Sequence, residues 1–200
     1  MALKLNGAEP KGALRTLLDG LYLWSGRLSA CFLVAICAVV TAQILGNLID
    51  RVMIVLTGSP IGIIIPAYSD FAGFFLATST FLALAYTLTS GEHIRVRVLL
   101  SRVPEAYQRW VEIWCVAFSV LMVGIAAWYG IILVHESWMF GDVVPGMVAI
   151  PLWIPQSGMV LGLAILLIAL IDALVVLLLG GEPSYNAKKE LDPTGHLPEV

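Results

Sequence analysis

Few side chains in this 200-residue sequence could do chemistry, and their spacing is informative. Of the three cysteines, Cys31 and Cys37 fall on different faces of one apolar run, and Cys115 lies in another. No CxxC pair is present for thiol–disulfide exchange, so buried structural thiols are expected. Leu28-Ser29-Ala30-Cys31 resembles a lipoprotein cleavage box. In a true signal the apolar region precedes the box, whereas here Arg27 precedes it and the apolar run follows, so the match is read as chance. Haem ligation would need histidines within helices, and His93, His135 and His196 are all placed in connections. Asp172 stands nearest to the inside of an apolar run. A proton relay would require a partner at similar depth. None is evident, so Asp172 is read as a carboxylate reaching the interface or capping a neighbour. No phosphate loop, zinc-binding helix or nucleophile elbow occurs. No catalytic, metal or cofactor site is expected.

The elements that hold these residues follow from composition. The chain is 60% hydrophobic and 12% charged, with net charge −3 and a mean hydropathy of +0.93. Soluble domains carry about 25% charged residues. Richness in Leu, Ile, Val and Phe excludes disorder, and three cysteines do not make a disulfide scaffold. Eleven basic residues within a net negative charge do not suit a nucleic-acid binder. An integral membrane protein remains.

A helix crossing the hydrocarbon core needs about 20 predominantly apolar residues. Gaps between ionisable side chains place three spans at 28–49, 71–91 and 113–134. A fourth gap opens at Val143, but Pro145, Pro151 and Pro155 break up its early part, so this span is placed at 154–179. Lys4, Lys11, Arg15 and Arg27 precede the first span; Arg95, Arg97, Arg102 and Arg109 separate the second and third; Lys188 and Lys189 follow the fourth. Four spans put all these on one face, the cytoplasmic one by the positive-inside rule. A fifth crossing at 52–68 would move the Arg95–Arg109 loop outside, so that stretch is read as an outer-face segment dipping into the interface. The expectation is an all-α integral membrane protein with four transmembrane helices. Residues 1–182 form a single membrane domain, and 183–200 a polar cytoplasmic tail.

Polar and small residues indicate packing. Gln43, Asn47, Asp50 and Arg51 form a stripe at the outer end of the first span that would be costly facing lipid. It is read as facing protein, either this bundle or a partner. Ala38, Ala42 and Gly46 repeat at four-residue spacing, and Gly158 and Gly162 form a GxxxG pair suited to close helix approach. Tyr22, Trp24, Tyr107, Trp110, Trp114, Trp138 and Trp153 sit near span ends, where amphipathic rings prefer the headgroup layer. Trp128 and Tyr129 lie deeper and are expected to pack against protein. Between spans two and three, Gly91-Glu92-His93-Ile94-Arg95-Val96-Arg97-Val98-Leu99-Leu100 mixes bases with aliphatics. An interfacial cytoplasmic segment, aliphatics down and arginines towards lipid phosphate, is the natural reading.

With these residues the chain resembles the DctQ-type small membrane subunit of tripartite ATP-independent periplasmic (TRAP) transporters. The Gly91-Glu92-His93-Ile94-Arg95-Val96 run with Leu99-Leu100 and Pro104 is similar to the family signature after its second span. Asn47 and Arg51 match its N-x-x-x-R pattern, and Pro151-Leu152-Trp153-Ile154-Pro155 with Gly158 its lead-in to the fourth span. The resemblance covers roughly residues 20–180. Two departures stand out: Arg97 occupies a position that is often acidic, and Ser69-Asp70 supplies only one of a usual acidic pair.

The resemblance implies a non-catalytic scaffold subunit in the bacterial inner membrane, both termini cytoplasmic. It implies a sodium-coupled transporter of organic acids. The partners would be a large membrane subunit holding the substrate and sodium sites, a periplasmic substrate-binding protein, and membrane lipids. Gln43, Asn47, Arg51, Gly91, His93, Arg95, Arg97, Trp153, Gly158 and Gly162 are the residues expected at partner or lipid interfaces. The alternatives are a self-sufficient homodimeric four-helix transporter, which would want a membrane-embedded carboxylate, and a four-helix redox enzyme, which would want paired thiols or cofactor ligands.

Overall fold

A computed structural model describes residues 13–59, 62, 67–90, 105–146 and 148–180. They form four helices: α1 (Ala13–Thr57), α2 (Tyr68–Thr89), α3 (Glu105–Phe140) and α4 (Trp153–Leu178). All four are long and apolar enough to cross a membrane. The chain is therefore an all-α, multi-pass membrane protein.

The helices overrun the charge-free runs that mark their spans. At about 1.5 Å per residue, α1 is about 67 Å long and α3 about 54 Å, against a hydrocarbon core of about 30 Å. The reason is local. Neither helix contains a proline, and Arg15, Arg27, Arg51, Arg109, Glu112 and Glu136 at or beyond the span ends are good helix formers once they reach water. These two helices stop where the backbone turns left-handed. Gly58 ends α1 at φ 77°, with its N–H bonded to the Ile54 carbonyl at 3.0 Å. Gly141 ends α3 at φ 66°, and Asp142 N–H reaches back to the Ser137 carbonyl at 3.1 Å in a Schellman arrangement.

Two sequence expectations change accordingly. The beginning of the 52–68 segment is not an interfacial connection but the last turns of α1. His135 lies within α3 rather than in a connection. Residues 91–104 and 183–200, which hold the expected interfacial segment and tail, lie outside the described residues.

Packing runs in the order α1, α2, α4, α3: α2 lies between α1 and α4, α3 packs on α4, and α1 meets α4 only lightly. Tyr22 from α1, Leu82 and Ala85 from α2, and Ile165 and Ala169 from α4 form the buried core. Large apolar side chains such as Val34, Leu48, Phe118 and Leu121 are exposed along α1 and α3. Such a surface is a liability in water but is the ordinary outside of a membrane protein. The cysteines follow the same logic. Cys31, Cys37 and Cys115, expected to be buried, are all exposed. A thiol behaves as a small hydrophobe, and the outward face of a helix in lipid is as apolar as its inward one.

Candidate partner and lipid interface

The contacts among the helices show which polar groups are already engaged and which surfaces stay available. α1 and α2 are joined by buried serines. Ser29 Oγ lies 2.9 Å from the Ser79 carbonyl and 3.0 Å from Ser79 Oγ. Ser79 Oγ lies 3.1 Å from the Ser29 carbonyl. One step along, Ser25 Oγ shares its proton between the Tyr22 and Leu82 carbonyls, each at 3.1 Å. Gly26 sits beneath the Tyr86 ring, where an added Cβ would come within 2.7 Å of Tyr86 Cγ. A small residue there lets the backbones approach closely enough for serines to reach across. Sequence reasoning missed Ser25, Ser29 and Ser79. The signal for Ser25 and Ser29 was the Ser-Gly-x-x-Ser spacing at the start of the first apolar run; Ser79, in the second run, lies outside that pattern.

The α2–α4 contact uses the glycine pair that the sequence pointed to. A Cβ on Gly158 would stand 2.6 Å from Thr78 Oγ1, and one on Gly162 2.6 Å from the Phe81 carbonyl carbon. Both glycines therefore face this chain's own α2. On α3, Gly130 makes room for Val160 of α4, 2.8 Å from where its Cβ would be.

At one end of the bundle the polar stripe of α1 divides. Gln43 is buried and its amide donates to Asn47 Oδ1 at 3.1 Å. Asp50 Oδ1 accepts from Gly62 N–H at 3.1 Å. Asn47 and Arg51 stay exposed. At the same end of the bundle, between α3 and α4, Val144 N–H bonds to the Ile150 carbonyl and Leu152 N–H to the Asp142 carbonyl, both at 2.9 Å. Trp153 then starts α4, packed edge-on against Trp138 of α3 with ring centroids 4.8 Å apart. Pro155 falls in the first turn, where its missing N–H removes no helix bond.

At the opposite end, Asp172 has the partner that sequence spacing did not reveal: Arg15 Nη1 lies 3.6 Å from its Oδ2, across α1 and α4. Arg109 of α3 donates to the Leu177 carbonyl at 2.8 Å, adding a cation at the α4 C-terminus to a carbonyl that Gly180 N–H also reaches at 3.3 Å. Gly91, His93, Arg95 and Arg97 lie outside the described residues. No cluster of three metal-ligating side chains occurs among the described residues.

The contacts of Ser25, Ser29, Ser79, Arg109 and Asp172 thus join helix to helix. A family model confirms what kind of protein is built this way: residues 36–180 match "Tripartite ATP-independent periplasmic transporters, DctQ component". The chain belongs to the DctQ family. It is a small membrane component of a tripartite transporter. Comparison with curated proteins and with solved structures gave no match. Ser25 and Ser29 precede the region matched to the DctQ family, whereas Ser79, Gly158 and Gly162 fall inside it.

Proposed function

We propose that this chain is the non-catalytic scaffold subunit of a sodium-coupled TRAP importer of organic acids. It lies in the bacterial inner membrane with both termini cytoplasmic. It packs against a large membrane subunit that holds the substrate and the sodium ions, and helps to dock a periplasmic substrate-binding protein. No cofactor belongs to this chain in the proposal.

The observation that carries the reading is how the polar side chains within the bundle are used. Ser25, Ser29 and Ser79 tie α1 to α2, and Asp172 faces Arg15 at one end of the bundle. A self-sufficient carrier would instead be expected to keep a carboxylate available for its ion. Wide apolar surfaces on α1 and α3 provide area for lipid and for a larger partner.

The test is purification of the tagged chain in mild detergent from cells expressing the whole transporter. The proposal expects it to bring down a larger multi-spanning protein in constant ratio. A chain that purifies alone, or only with copies of itself, would contradict it.

A further inference from the structure

Trp128 and Tyr129 of α3 are 66% and 68% exposed, although sequence depth led to the expectation that they pack against protein. Among the described residues nothing hydrogen-bonds to either side chain. Their depth can be read from α3 itself. The Trp138–Trp153 pair and exposed Trp114 mark two aromatic belts. These stand about 36 Å apart along the axis at about 1.5 Å per residue, so Trp128 and Tyr129 lie within about 5 Å of the midpoint. Helical side chains lean towards their own N-terminus. The phenol of Tyr129 is thus directed towards the middle of the bilayer rather than towards the nearer belt.

An indole N–H and a phenol O–H at that depth have no acceptor in lipid tails. The surrounding exposed side chains between Leu121 and Leu133 are Met122, Ile125, Ala126, Ile131 and Ile132, which offer nothing stronger than the weakly accepting thioether of Met122. A second copy apposed through the same face would bring donors against donors, with only the phenol oxygens to accept.

We infer that the Trp128–Tyr129 flank of α3 is where a membrane helix of a different, larger chain docks, presenting hydrogen-bond acceptors near the bilayer midplane to the indole and phenol. The inference rests on the subunit reading above and names the face that reading leaves open.

The test replaces Tyr129 in the full chain with photo-reactive p-benzoyl-phenylalanine, in membranes of cells expressing the whole transporter. Irradiation is expected to join it to the same multi-spanning protein that copurifies with the unmodified chain, as identified by mass spectrometry. Tyr129→Phe, which keeps area but removes the hydroxyl, is expected to weaken retention of that protein about fivefold, the effect of losing one hydrogen bond. Trp24→Phe, at a belt where headgroups can satisfy the indole, is expected to leave retention unchanged. Adducts with lipid alone, or with a second copy of this chain, overturn the inference while copurification keeps the subunit reading intact. If no larger membrane protein copurifies at all, both fall together.

Discussion

Ser29 of α1 and Ser79 of α2 hold each other reciprocally: each hydroxyl lies within about hydrogen-bond length of the other's main-chain carbonyl, at 2.9 and 3.1 Å. Both side chains are almost fully buried. Hydroxyl-to-carbonyl bonds of this kind fasten two helices where no hydrophobic effect separates protein from solvent. They also define the register of α1 on α2, because a shift of one residue would turn both hydroxyls away.

Ser79→Ala should therefore lower stability by about 0.5–1.5 kcal/mol, the usual range for one interhelical hydrogen bond in a membrane protein. Ser79→Leu should cost considerably more, because it also forces the helices apart. Thermal unfolding in detergent, followed by circular dichroism, measures both. Equal losses for Ala and Leu would mean that close approach does not matter at this contact.

Gly162 tests the second contact. A methyl group there would meet the Phe81 backbone at 2.6 Å, and backbone cannot move aside as a flexible side chain can. Gly162→Ala is expected to destabilise by about 1–3 kcal/mol, and Gly162→Leu to abolish α2–α4 packing. A native gel showing normal assembly of the Leu variant would remove this glycine from the interface.

How far the molecule was legible in its sequence depends on the range of each signal. Charges crowd at the ends of apolar runs because burying them in lipid is costly, so three spans could be read from Arg27, Asp50, Asp70, Glu92, Glu112 and His135, and the fourth once Pro145, Pro151 and Pro155 were allowed for. The lengths of α1 and α3 could not, because a helix leaving the membrane meets no penalty that charge spacing records. Gly158 and Gly162 announced a close approach, yet no local pattern says that Thr78 and Phe81 lie opposite. Ser29 reads as a neutral residue in an apolar run until the register of α2 is known. Asp172 looks solitary in the sequence because Arg15, whose charge there speaks only to topology, lies almost the whole chain away.

The Arg15–Asp172 pair separates a scaffold from a carrier. At 3.6 Å, with side chains 33% and 21% exposed, it is expected to contribute no more than about 1 kcal/mol. Asp172→Asn should leave transport by the assembled system nearly unchanged, and exchanging the two charges should restore most of any lost stability in a double-mutant cycle. Loss of transport with the fold intact would assign Asp172 an ion-coupling role.

Arg109 joins the start of α3 to the end of α4 through the Leu177 carbonyl. Arg109→Ala leaves that carbonyl without its charged donor, at a cost of about 1 kcal/mol. Faster amide exchange in the last turn of α4, with the α1–α2 contact unaffected, is the expected signature. Uniform acceleration across all four helices would show that Arg109 supports the whole bundle rather than one helix end.

The decisive experiment is reconstitution into sodium-free liposomes, assayed with sodium added outside or with sodium left out. The chain alone, the large membrane subunit alone, and the two together with the binding protein would each be assayed for uptake of labelled dicarboxylates, keto acids and sialic acid. Sodium-dependent uptake is expected only for the complete assembly, and none for this chain alone. Uptake by this chain alone would contradict the scaffold reading.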